Sequence, residues 1–412
     1  MTEPARSPHA PSRAAQIILL AVVVLVGLNL RPFLTGIGPL AGRIAADTGL
    51  SLSGLAWLTL LPMLLMGVGA FLGPAILGRL GARSAILGSL VLLTLGSLLR
   101  LIATDGLSLI ATAALCGIGV AVIQAIFPGV IKERFPLHVA ATTGLYSASL
   151  MGGGAFGAQA TPIIAEWTGN WHSALAWLAV PTIAAFALAF VALPRGKREV
   201  RRLTPATTFL RYPRTWLLMI CFGLINGGYA SLVAWLAPYY QSLGLSETAS
   251  GSLVAVMSIA QAAAALTVPM LAASRLDRRP WLLITLTMQA IGFLALAYWP
   301  NFHPVLWIII SGAGLGGSFA LCLIVGLDHL LDPEQAGTLS AVMQGGCFLL
   351  TSLAPWGTAI LHQFTGTFVT GWLAHLTCVI IVGVLALRLH PKGYRDAIPL
   401  SAKPAAMAAE AG

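Results

Sequence analysis

One arginine stands inside the first apolar run of this sequence. The segment Asn29-Leu30-Arg31-Pro32-Phe33-Leu34-Thr35-Gly36 follows an uninterrupted apolar stretch from Ile17 to Leu28, and no other Lys or Arg lies so deep in such a stretch. A guanidinium stays charged at any workable pH. Holding it near a bilayer midplane costs about 2.5–3.5 kcal/mol on insertion scales. Such a group is retained where it faces a partner, a water-filled cavity or an anion. Its planar fork of donors suits a small anion. Thr35, four residues on, shares the helix face and adds a hydroxyl. The competing reading is a snorkelling or helix-packing arginine. Pro32 removes a backbone donor and can kink the helix locally.

A second set of polar residues interrupts later apolar runs. Asn226 and Tyr229 sit three apart beside Gly227 and Gly228. One charge facing a polar, glycine-lined wall suits a monoanion better than a dianion, although those glycines equally permit close helix packing. Gln124, Gln261 and Gln344 are isolated amides, and Tyr146 is similar. Each is a candidate for lining a cavity, and interhelical hydrogen bonding explains any one of them without a ligand. His375 lies about six residues, roughly 9 Å, inside the last apolar run. It is the candidate proton-coupling group, set against an interfacial packing role.

Other chemistry is excluded. All 13 carboxylates fall in tails, links or span ends, so the acidic relay of a proton symporter is not visible. There is no HExxH, no CxxC and no pair of mid-membrane carboxylates, so neither an enzyme, a metal nor a cofactor is expected. The five cysteines read as small buried hydrophobes. The glycine clusters at 152–154, 312–317 and 345–346 follow no strand, and a nucleotide loop is excluded.

The elements that position these residues are membrane helices. The chain has 412 residues, 58% hydrophobic and 9% charged, with mean hydropathy +0.88. Soluble domains are about a quarter charged, so the partner is a lipid bilayer and not nucleic acid. A span needs about 20 apolar residues. Twelve are predicted, at 16–40, 52–77, 84–103, 108–131, 138–164, 173–193, 215–239, 248–273, 281–299, 304–328, 337–362 and 369–389. Backbone at membrane depth must bond to itself, so the fold class is all-α. The division reads as a tail 1–15, a six-helix bundle 16–193, a middle link 194–214, a second bundle 215–390 and a tail 391–412. No cleavable signal is read at the N-terminus.

The halves echo each other. Arg79-Leu80 and Arg83 recur as Arg275-Leu276 and Arg279, Gly117 and Gly119 as Gly312 and Gly314, and Gly152, Gly153 and Pro162 as Gly345, Gly346 and Pro355. Their near-constant offset points to a duplicated six-helix unit, as in major facilitators. Of 23 Lys and Arg, 20 fall in the tails, the middle link and the links after spans two, four and eight. Only Arg43 and Arg100 are placed on the opposite face. The positive-inside rule then puts both termini and the middle link in the cytoplasm, with the link after span ten, which carries Asp332 and Glu334, as a departure.

Several segments carry a family resemblance. Asn29 to Leu40 resembles the first-helix motif of the cyanate/nitroimidazole transporter family within the major facilitators, and Pro128 to Phe135 resembles its fourth-helix end. Phe222 to Leu232, Leu327-Asp328-His329 and Ala354-Pro355-Trp356 are similar to segments of that family's cyanate carriers. The superfamily's signature after the second helix is reduced to Gly78-Arg79-Leu80-Gly81-Ala82-Arg83, without its Asp, whereas the second half keeps Asp277 with Arg278 and Arg279. The resemblance implies a monomeric transporter of a bacterial inner membrane that moves cyanate by alternating access. An exporter of 2-nitroimidazole or another small organic solute is the alternative. A sensor or scaffold would need a soluble output domain, and the longest polar segment is the middle link.

Overall fold

The structure is a computed structural model that describes residues 13–135, 138–193 and 205–399. Most of the expected N-terminal tail, the middle link from 194 to 204 and the chain from 400 onward lie outside these residues.

Every described element is an α-helix or a short 3-10 turn. Spans two to five are Leu52–Leu80, Ala82–Leu99, Gly106–Arg134 and Val139–Thr168. Spans seven to twelve are Pro213–Ser242, Glu247–Ala272, Arg279–Tyr298, Pro304–Asp328, Pro333–Thr365 and Val369–Ala386. Among the described residues, eleven segments are long and apolar enough to cross a membrane. The remaining helix, Val139–Thr168, has 30 residues, but its Gly, Ala and Thr content lowers its hydropathy.

Two expected spans are not single helices. The sixth is divided into Trp171–Ala176 and Ala179–Ala192. The first is Arg13–Leu28, then a non-helical Asn29–Arg31, then Pro32–Thr35, a 3-10 turn Gly38–Leu40 and Ala41–Thr48. The break begins three residues before Pro32, which serves as the first residue of the next turn, where its missing N–H costs nothing.

The packing repeats. The second span packs on the fourth as the eighth packs on the tenth, and the third on the sixth as the ninth on the twelfth. Across the halves, the second meets the eleventh and the fifth meets the eighth, the pairing that a two-fold axis between two six-helix bundles demands. Close approach rests on small residues one turn apart. A Cβ on Gly69 or Gly73 would stand 2.7 Å or 2.6 Å from the Ala121 or Ala125 methyl.

At the end where the even-numbered links lie, Arg279 pairs with Asp277 at 2.7 Å and Arg278 with Asp328 at 3.3 Å. The hydrogen bonds from Arg279 hold the Asp277 carboxyl below its ordinary range. The chain after the last span is tied to the same end, by Arg214 to the Arg388 carbonyl at 2.7 Å and by Tyr394 stacked on His329 at 3.9 Å.

Candidate functional site

The break in the first span is held by side chains from other helices. Asn29 Nδ2 donates to the carbonyls of Leu25 (2.7 Å) and Pro181 (3.2 Å), and Asn29 Oδ1 accepts from Thr182 (3.0 Å). The N–H of Ile37 bonds to Leu34 at 3.3 Å instead of reaching back to Phe33. The Phe33 carbonyl takes Arg100 Nη2 at 3.4 Å. Thr161 donates to Gly36 at 3.0 Å and Gln241 to Pro39 at 2.7 Å. Non-helical backbone at membrane depth persists only where protein or a cavity satisfies it, and each buried group left open costs about 1–3 kcal/mol. The fifth span closes on this segment through glycine: Gly153 faces the Leu28 carbonyl, and Gly157 faces Pro32.

Arg31 leaves the break toward the second half. Its guanidinium stands 5.1 Å from the centre of the Tyr229 ring, a cation–π arrangement. The residue is 4% exposed, and Nε and Nη1 have no hydrogen-bond partner. No described carboxylate pairs with it. Asn226, 3% exposed, likewise has an unpartnered Nδ2. Cys347 stands near Asn226 and Arg31, with its thiol 3.8 Å from the Thr351 hydroxyl. Tyr146 feels the Arg31 charge, and its hydroxyl is buried without a partner. Its ring is 5.1 Å from Phe127. Gln124, one turn before Phe127, has a buried, unpartnered Oε1. Such unpaired groups are expensive in a protein interior, and the Asn226 amide nitrogen and Tyr146 hydroxyl are free donors near an unpaired cation, an arrangement able to hold a small anion.

Thr35 is fully buried, and its methyl and the Arg31 Cβ both face Gly154. Its hydroxyl is turned to the Arg31 carbonyl at 3.4 Å. Ser258 of the eighth span stands by the same glycine.

The other candidates lie elsewhere. Gln344 bonds to Ser340 at 3.5 Å, beside Gly345, which packs on Phe71 of the second span. Gln261 is buried, with its backbone carbonyl against Gly316. His375 is buried and hydrogen-bonded through Nε2 to Thr358 at 3.1 Å, which meets Ser231 at 3.2 Å. It lines an apolar cavity of about 240 Å³ between spans seven, eleven and twelve that does not include Arg31.

Cys347, Ser258 and Arg100 were not legible as site residues. In sequence a membrane thiol reads as a small hydrophobe, and a serine in an apolar run satisfies its own helix, as Ser258 does with Val254. Arg100 corrects an expectation. Placed by sequence at the outer face near the end of the third span, it is fully buried.

Four bonds join the halves at the end where the odd-numbered links lie. Arg43 pairs with Glu247 at 2.8 Å, Thr248 donates to Glu166 at 3.3 Å, Gln363 to Ser53 at 3.1 Å, and Gln241 to Pro39 as above. The Arg43 and Glu247 side chains are 38% and 26% exposed, so the pair contributes under about 1 kcal/mol. Arg43→Ala or Glu247→Ala is expected to speed maleimide labelling of Cys347 from that end by up to about fivefold, and the double variant no further. Unchanged rates, or additive effects, would show that the pair is not a latch.

The sequence matches the family described as Major Facilitator Superfamily over residues 18–355. The chain belongs to this superfamily. It is 41% identical over 377 residues to the cyanate transport protein CynX of Escherichia coli (strain K12), covering 90% of this chain and 97% of that one. It is 28% identical over 378 residues to a 2-nitroimidazole transporter of the same organism, covering 90% and 93%. Among solved structures it superposes on a D-xylose-proton symporter with TM-score 0.74 at 15% identity, covering 93% and 98%. It superposes on the nucleoside transporter NupG with TM-score 0.72 at 14% identity, covering 91% and 99%. Identity that low speaks for the fold alone. The chain is thus a twelve-helix membrane carrier of two six-helix bundles, and not an enzyme.

Proposed function

We propose that this carrier moves cyanate, or a monoanion of its size, through a binding site centred on Arg31. The carrying observation is one buried guanidinium with two unpartnered nitrogens, no carboxylate beside it, and the Tyr229, Asn226 and Tyr146 side chains close by. A charge so placed is completed by a single negative charge. The close packing favours a linear three-atom ion over a substituted ring. The 41% identity to a cyanate transport protein supports the same substrate class. In this reading Arg31 anchors the charge, Tyr229 covers it, and Asn226, Tyr146, Cys347 and Gln124 shape the pocket. Thr35 holds the backbone of the break, Gln344 bonds within its own helix, and His375 ties span twelve to span eleven through Thr358. The positive-inside pattern supports a bacterial inner membrane with both termini cytoplasmic. The bundles then span about 16–193 and 215–390, and the Arg43–Glu247 end faces outward. Labelled cyanate uptake by cells lacking their own carrier tests the reading. Uptake at least tenfold above control, unaffected by 2-nitroimidazole, is expected. Equal uptake with and without the protein, alongside efflux of 2-nitroimidazole, would favour the exporter instead.

An anion entering a negative interior climbs about 2.3 kcal/mol per 100 mV for one charge. The described carboxylates stand in links and at helix ends, away from Arg31. Downhill entry with metabolic consumption, or exchange for an internal anion, therefore fits these residues better than proton symport.

A further inference from the structure

We infer that Arg100 is a positioning residue that holds the broken first helix, and through it Arg31, in the binding geometry. The inference rests on the proposed role of Arg31. Arg100 follows directly on the helix Ala82–Leu99, where an arginine would ordinarily carry its head to water. Instead it is 0% exposed, while Leu101 and Ile102 after it are 50% and 72% exposed. Its guanidinium turns into the bundle and meets the Phe33 carbonyl through Nη2 at 3.4 Å. That carbonyl is among those the irregular segment releases, because the Ile37 N–H bonds to Leu34 instead. Phe33 is two residues from Arg31, so whatever fixes its peptide fixes the direction in which Arg31 leaves the backbone.

No described carboxylate compensates Arg100, and its Nε and Nη1 are buried without partners. Burying a charge this way is costly, and a packing role alone would be filled better by an apolar side chain. Of the side chains on the break, Asn29 holds its entry, and Thr161 and Gln241 hold its exit. Arg100 holds its middle, one residue beyond Pro32.

The two arginines therefore differ in what they need. Arg31 uses its planar fork on a ligand, and Arg100 uses one N–H on a carbonyl. Lysine can supply one N–H, so Arg100→Lys should retain function where Arg31→Lys does not.

The test compares full-length Arg100→Lys and Arg100→Met. Met keeps length and apolar volume and donates nothing. In Arg100→Met, amide exchange over residues 31–37 should rise at least tenfold, while exchange in the third and fourth spans stays within twofold of the parent. The KM for cyanate should rise at least tenfold with maximal rate per folded carrier within threefold. Arg100→Lys should remain within threefold on every readout. Unchanged exchange at 31–37 in Arg100→Met would overturn the inference, as would an equal rise throughout spans three and four. If Arg100→Met does not accumulate, a tenfold loss of affinity in folded Arg100→Lys would also overturn it. Exchange needs no substrate, so it decides the matter even if cyanate proves not to be carried.

Discussion

Arg31→Lys should raise the KM for cyanate by at least tenfold, and Arg31→Gln should remove measurable transport. Lysine keeps the charge but loses the planar, two-pronged donor set. A hydrogen bond to a charged partner contributes about 1.5–3 kcal/mol, which is a factor of roughly 10 to 150. Both variants should accumulate in the membrane. Without ligand Arg31→Gln should be at least as heat-stable as the parent, because removing an uncompensated buried charge is often neutral or stabilising. A packing arginine would behave in the opposite way, with stability falling and transport per folded carrier intact. Normal uptake by Arg31→Gln would remove Arg31 from the site.

The second large effect concerns two adjacent glycines. Gly153→Ala should abolish transport or accumulation, whereas Gly152→Ala should stay within twofold of the parent. A Cβ on Gly153 would run into the Leu28 carbonyl and the Leu28 carbonyl carbon at 2.7 Å, all backbone atoms. On Gly152 it would meet only the Leu28 Cδ2, at 3.8 Å, which is ordinary contact. Intrinsic helix propensity favours alanine at both positions by about 1 kcal/mol, so local preference alone gives the wrong sign at Gly153. Overpacking against backbone costs typically about 1–3 kcal/mol and more where neither side can yield. Transport and expression of the two single variants side by side provide the measurement. Tolerance at both positions would mean that the fifth span does not clamp the break.

Much of this was legible in the chain. Hydropathy marks eleven of the spans among the described residues, and the offset echoes implied the two-fold packing found between spans two and eleven and spans five and eight. Arg31 stood out because a charge in an apolar run has few inexpensive explanations. The break itself was half legible. Pro32 signalled a kink, but the helix stops earlier, at Leu28, because Asn29 finds partners at Pro181 and Thr182. Those partners are more than 150 positions away in the chain, beyond any local pattern. Arg100 was illegible for the same reason. It stands near the outer end of the third span, where an arginine ordinarily reaches water, and only tertiary packing turns its side chain inward. Thr35 shows the reverse limit. Its spacing from Arg31 placed it on the right face, but spacing could not show that its hydroxyl returns to the Arg31 carbonyl.

The most direct test of a monoanion site at Arg31 is cyanate flux into proteoliposomes with no proton gradient, under imposed voltage, for the parent and Arg31→Gln. A carrier completed by one anion should transport without a proton gradient. An inside-positive potential should then speed net entry, or a trapped internal anion should do so if the carrier exchanges. Arg31→Gln should be silent in both conditions. Strict dependence on an inward proton gradient, lost in His375→Ala and retained in Arg31→Gln, would contradict it and move the coupling to the histidine.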